Sequence, residues 1–68
     1  MKVHVELLPS GERKTMKFPD EASGFDVVRA LDLKPDAHIL VRDGSPVPMD
    51  VVLSNGDRVK LIKVASGG

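Results

Sequence analysis

Val59-Lys60-Leu61-Ile62-Lys63-Val64-Ala65-Ser66-Gly67-Gly68 joins two unlike pieces of chain. Its first part belongs to a run from Arg58 to Val64 that is long and rich in β-branched residues, a composition suited to a central strand paired on both sides. The run is launched by Asn55-Gly56-Asp57, a strong turn signal. After Val64 nothing can pack: one methyl, one hydroxyl and two residues with no side chain. A tail so small, and uncharged apart from its carboxylate, can leave a folded domain and reach into something else. Two units are expected, a domain over residues 1–64 and a flexible tail over 65–68.

Upstream, Ile39-Leu40-Val41 is a short β-branched run closed by the turn pair Asp43-Gly44. Ser45-Pro46-Val47-Pro48 holds two prolines that cannot donate to a ladder, so it can form only a brief edge strand. Asp50-Val51-Val52-Leu53 reads as a single turn tucking Val52 or Leu53 under the sheet. At the other end, Val3, Val5 and Leu7 alternate with Lys2, His4 and Glu6, and alternation resumes at Lys14, Met16 and Phe18 after the turn Pro9-Ser10-Gly11-Glu12. These two strands predict an antiparallel hairpin, with Met16 and Phe18 facing inward.

The period changes after Pro19. Ser23 is a good N-cap, and Asp26 three residues later supplies a capping-box carboxylate in the positive first turn. Gly24, Val27, Val28 and Leu31 form one apolar helical face, and Pro35 requires the helix to stop by Lys34. So short a helix does not hold by itself in water. Packing of Phe25, Val28 and Leu31 on the hairpin is expected to stabilise it. The pattern is strand, strand, helix, strand, short strand, long strand. It predicts an α+β fold with one helix across one face of a mixed sheet, and a core containing Val5, Val28, Leu31, Leu40 and Leu61.

Sixty-eight residues with 41% hydrophobic and 29% charged residues make one domain that can fold without disulfides or metal. Ten basic and ten acidic side chains cancel, which argues against nucleic acid as a partner. No apolar run approaches the roughly 20 residues of a membrane span, and the strand pattern at the N-terminus leaves no room for a signal peptide. Cytoplasmic location is the expectation. With no cysteine there is neither a thiol nucleophile nor a common structural zinc site. His4 and His38 are the only imidazoles and lack companion ligands, so no metal site is expected. No acid, base or nucleophile set emerges, and catalytic residues are expected to be none.

The order ββαββ, the helix end Leu31-Asp32-Leu33-Lys34-Pro35, Asp43-Gly44 before Pro46-Val47-Pro48, Gly56-Asp57-Arg58-Val59 and the terminal Gly67-Gly68 together resemble the ubiquitin-like β-grasp sulfur carriers. That group includes the thiamine-pathway carrier ThiS, the molybdopterin synthase small subunit MoaD and the small archaeal modifiers, the last being the nearest in character. The segment from Pro48 to Asn55 is shorter than the insert many members carry there. The resemblance implies a ubiquitin-like β-grasp that is a cosubstrate and not an enzyme. An E1-like partner consumes ATP to adenylate the Gly68 carboxylate. The acyl group then passes to sulfur, giving a thiocarboxylate, or to a lysine, giving an isopeptide bond. No cofactor is bound by the carrier itself, which is a monomer when free. The six lysines include no marked acceptor.

Glycine fits this chemistry, since Gly67 and Gly68 can thread a narrow channel and approach a nucleotide closely. Ala65 and Ser66 are small enough to follow. A docking surface is expected from residues of the wrong parity. With Leu40 and Leu61 inward, Ile39, Val41, Ile62 and Val64 point away from the helix, and they form one exposed apolar patch if their strands are neighbours. Two other readings compete: a small subunit of a molybdopterin-synthase-like heterodimer, and a non-conjugating β-grasp binding module.

Overall fold

A computed structural model describes residues 1–65. Ser66, Gly67 and Gly68, and with them most of the expected tail, lie outside the described residues. Five strands, β1 (Lys2–Leu8), β2 (Glu12–Lys17), β3 (His38–Arg42), β4 (Ser45–Val47) and β5 (Arg58–Lys63), form one sheet in the order β2-β1-β5-β3-β4. One helix, α1 (Gly24–Ala30), crosses one face. β5 is central, parallel to β1 and antiparallel to β3, as the length and β-branched content of the run from Arg58 to Val64 predict.

The helix-facing residues of the strands build the core. Val3 and Val5 of β1, Leu40 of β3, and Val59 and Leu61 of β5 are buried together with Val27, Val28 and Leu53. Of the five core residues expected from sequence, four are buried and Leu31 is half-buried against the cluster. Met16 and Phe18 are half-buried on the same side.

Phe25 corrects the reading of the helix. It is 40% exposed, and Val27 occupies the buried place beside Val28. The reason lies at the N-terminus of α1. The N–H of Phe25 donates to the Met49 carbonyl at 3.0 Å, and the N–H of Gly24 to the Val51 carbonyl at 3.3 Å. The loop after β4 thus lies along the first turn and takes the place that Phe25 would fill. The N–H of Leu53 donates to the Ala22 carbonyl at 2.9 Å. Leu53 is the residue tucked into the core, and Val52 is left 56% exposed.

That crowding makes Gly24 a sharp test. A Cβ built there would lie 2.6 Å from Leu40 Cδ2 and 2.7 Å from the Met49 carbonyl oxygen. The second neighbour is backbone and is itself engaged with Phe25, so it cannot yield cheaply. Gly24→Ala is expected to destabilise the fold by about 1–3 kcal/mol, although alanine ordinarily favours helix. An unchanged or raised midpoint in chemical denaturation would contradict this close approach.

The caps explain the helix length. At the start, the Asp26 carboxylate accepts the Ser23 N–H at 2.7 Å. At the end, Asp32 takes a left-handed φ of 57°. The Leu33 N–H then reaches back to the Val28 carbonyl at 2.8 Å and the Asp32 N–H to Arg29 at 3.1 Å, the paired bonds of a Schellman cap. The helix therefore ends at Ala30, before Pro35 could end it. Pro35–Ala37 instead forms a short 3₁₀ turn leading into β3. Asp43 and Gly44, both with positive φ, make the two-residue turn between β3 and β4.

Candidate functional site

The sheet face opposite α1 is bare, and the register fixes what stands on it. Ile39 pairs with Ile62 across β3 and β5, and Ile62 pairs with Leu8 across β5 and β1. These three side chains form one apolar row across the three central strands. Ile39 is 42% exposed, and Ile62 and Leu8 are half-buried. Val41, opposite Pro46 on one side and Lys60 on the other, extends the row toward the edge. Val64 lies just beyond β5, where its N–H donates to the Ala37 carbonyl at 3.0 Å.

The structure thus brings Ile39, Val41 and Ile62 together on the sheet face and fixes Val64 beside Ala37, where β5 runs out toward the tail. Ala65, the one tail residue within the described range, is exposed. The loop after Pro48 lies against the first turn of α1 and does not cover this face. Leu8 and Pro46 belong to the surface as well, and sequence reasoning missed them. Leu8 had a signal: it follows Leu7, breaks the alternation of β1, and so must place a second apolar side chain on the outer face.

The other half of the face is cationic. The register places Lys2 opposite Lys17, His4 between Thr15 and Arg58, and Glu6 between Arg13 and Lys60. Five cations share the face with one carboxylate, and that carboxylate lies 3.6 Å from Arg13. His4 Nδ1 lies 3.0 Å from Thr15 Oγ1, which accounts for this imidazole on the solvated face. Net neutrality therefore hides a segregation of charge. The balance of ten against ten, taken in the sequence as a sign of no basic surface, does not hold locally.

His38, the other imidazole, has its Nδ1 2.9 Å from the Lys34 carbonyl. Among the described residues no group of three or more His, Cys, Asp or Glu side chains could hold a metal ion. The ion pair of Arg42 with Asp57, 3.4 Å apart, is structural. The same Arg42 donates to the Val52 carbonyl at 3.2 Å, and Asp57 accepts the Ser54 N–H at 2.8 Å. This cluster fastens the approach to β5, and Asp57 is turn chemistry as its setting in Asn55-Gly56-Asp57 predicts.

Comparison with known proteins gives this geometry a context. Residues 1–65 match the family model of small archaeal modifier protein 2. The chain belongs to that family. Small archaeal modifier protein 2 of Haloferax volcanii is 37% identical over 68 residues, which span 100% of both chains. An uncharacterized protein of Archaeoglobus fulgidus is 37% identical over 43 residues, 63% of each chain. Among solved structures, SAMP1 from Haloferax volcanii superposes with a TM-score of 0.77 at 17% identity, covering 100% of both chains. A ubiquitin from Caldiarchaeum subterraneum gives 0.73 at 20% identity, covering 100% of this chain and 98% of its own. A complex of subunits 1 and 2 of the molybdopterin-converting factor of Helicobacter pylori gives 0.67 at 19% identity, with 100% of both chains covered. The fold is the ubiquitin-like β-grasp, and the family is one of ubiquitin-like modifiers. Among the described residues no helix is long and apolar enough to cross a membrane.

Proposed function

We propose that this chain is a ubiquitin-like sulfur carrier and protein modifier, working in the cytoplasm through the carboxylate of Gly68. An E1-like enzyme joins that carboxylate to the adenylyl group of ATP and releases pyrophosphate. A carboxylate is a poor electrophile until its oxygen becomes part of a good leaving group, and AMP supplies one. Sulfide-level sulfur then attacks the acyl carbon and expels AMP to give a thiocarboxylate, or a lysine amine expels AMP to give an isopeptide bond. The chain is a cosubstrate in this scheme, and ATP is consumed by its partner.

The observation that carries the reading is the full-length match to a small archaeal modifier protein, 37% identical across all 68 residues. The sheet face supports it. The row Leu8-Ile62-Ile39 crosses the strand that leads directly to Ala65 and the tail, so a partner gripping this row holds the end of the chain near its own active site. Such a partner offers an apolar surface to the row and carboxylates to Arg58 and Lys60 beyond it.

Intact mass spectrometry tests the chemistry. With ATP, the E1-like enzyme and a sulfur donor, the protein is expected to gain the mass of one oxygen replaced by sulfur, located by fragmentation at Gly68. With an acceptor protein, the product is Gly68 joined to a lysine. Neither product, in the presence of an enzyme active on its own cognate carrier, would refute the proposal.

The docking role has its own test. Ile62→Asp sets a carboxylate between Leu8 and Ile39, and Val41→Asp sets one at the edge of the same surface. Each is expected to leave the thermal transition nearly in place while raising the carrier concentration for half-maximal adenylation about tenfold or more, the scale of a lost interface anchor. Wild-type kinetics from both folded variants would remove this face from the activation step.

A further inference from the structure

We infer that the helix side of the molecule carries a second, acidic docking surface whose occupant is the sheet face of another copy of this chain. Phe25 and Val52, two of the three large apolar side chains left exposed among the described residues, belong to adjoining segments there. Ser23 bridges Val52, and the Phe25 N–H is bonded to Met49, so residues 20–26 run alongside residues 49–53. This junction is tied down by backbone hydrogen bonds at Gly24, Phe25 and Leu53. An exposed aromatic on rigid backbone is the kind of anchor that protein contacts use, since little conformational freedom is lost when it is covered.

Charge says what covers it. Residues 18–28 and 43–57 contain no lysine or arginine, but they hold Asp20, Glu21, Asp26, Asp43, Asp50 and Asp57. Asp26 and Asp57 are engaged by Arg29 and Arg42. Asp20, Glu21 and Asp50 are exposed and join no ion pair among the described residues. The complement is on the same molecule: an apolar row beside Arg58 and Lys60, which are likewise exposed and unpaired among the described residues. One side offers an aromatic within an acidic field, and the other an apolar row within a basic field.

The two surfaces differ, so the contact is head-to-tail, and successive copies add in a line without closing into a two-fold dimer. It rests on two exposed apolar side chains and screened surface charges, so it is weak and single copies prevail in dilute solution. A copy whose sheet face is held by a partner still presents its acidic surface to the next copy. This inference is independent of the tail chemistry and survives if that chemistry is wrong.

The test is self-association of the whole protein followed by backbone amide shifts on dilution from about 1 mM, at low salt and again at about 0.5 M salt, where charges are screened within a few ångströms. Concentration-dependent shifts are expected at both Phe25–Val52 and Lys60–Ile62 in low salt, and they should be lost in high salt. Glu21→Lys with Asp50→Lys, and separately Arg58→Glu with Lys60→Glu, should each weaken association about tenfold or more. An equimolar mixture of the two double variants should recover it, because each variant's altered face then meets a complement on the other. All four positions are exposed, and amide spectra report directly that each variant is folded. A wild type that shows no shifts on dilution would overturn the inference. So would association indifferent to the variants, or a mixture no stronger than its components.

Discussion

Deletion of Gly68 is expected to abolish adenylation by the E1-like partner while leaving the thermal midpoint of the protein within about 1 °C of wild type. The two halves of that expectation have separate causes. Stability is spared because, among the described residues, the buried core cluster runs from Val3 to Leu61 and contains nothing beyond β5. Changes at a terminus remote from the packed residues usually have little effect on folding. Activity is lost because the reacting carboxylate is moved back by one residue, about 3.5 Å of extended chain. In a preorganised site an error of even about 1 Å is costly. Replacement of Gly68 by a bulky residue, or Gly67→Val, should have the same outcome, by adding a Cβ where the proposed activation threads backbone through a narrow channel. The readout is pyrophosphate release with ATP and the partner enzyme, beside a melting curve for each variant. If the Gly68-deleted protein still forms an adenylate, a thiocarboxylate or a lysine conjugate, the carboxylate of Gly68 is not the reacting group. A binding module with an incidental Gly-Gly would be indifferent to all three changes. The measurement therefore also separates the carrier from that rival.

β1 and β2 were legible because they alternate, and β3 and β5 because they are β-branched runs bounded by turn signals; a two-residue period then leaves only two choices of face. Once Leu40 and Leu61 point inward, Ile39 and Ile62 must point outward, and their direct pairing is what the structure shows. Whether β3 and β5 are neighbours could not be read from either strand alone. It depends on the crossover that makes β1 and β5 parallel, a long-range pairing with no local signal. The limit of the helix at Lys34 was legible and holds, but the stop itself lies earlier, after Ala30. Pro35 is a conspicuous stop, while Asp32 in a left-handed conformation is a quiet one, because aspartate visits that region far less often than glycine. Phe25 was misjudged, while Gly24 lies on the buried face of the helix as the apolar stripe predicts. Helical periodicity says which face is apolar but not which element covers it. Here backbone from residues 49–51 covers the first turn, favouring a glycine and leaving the aromatic outside. The cationic half of the sheet face escaped a net-charge count because six acids on the helix and loop side cancel it.

Leu61→Ala carries the largest expected cost to the fold, and its neighbour supplies the control. Leu61 is 0% exposed and stands between Leu7 of β1 and Leu40 of β3 on the helix-facing side of the central strand. Truncation removes three carbons from the core cluster that also holds Leu40, Val28 and Val59. Strands paired on both sides cannot close in to fill the gap, so both the transfer and the cavity contributions apply, about 2–5 kcal/mol together. A domain of this length has on the order of 3–10 kcal/mol in all. The midpoint is therefore expected to fall by about 15–35 °C, and in a weakly stable background the protein would be unfolded at room temperature. Ile62→Ala, one residue along, removes a comparable side chain from the outer face, where Ile62 is already part-solvated. Its cost should be about 1 kcal/mol or less, because roughly 25 cal/mol per Å² applies only to the area that was buried. The two variants should thus divide the functions of one strand: Leu61→Ala lowers stability, and Ile62→Ala mainly weakens docking. Equal losses of stability from both, measured by denaturant titration, would mean that β5 does not present these two side chains to opposite faces. The register that places Ile39, Ile62 and Leu8 on one surface would fall with it.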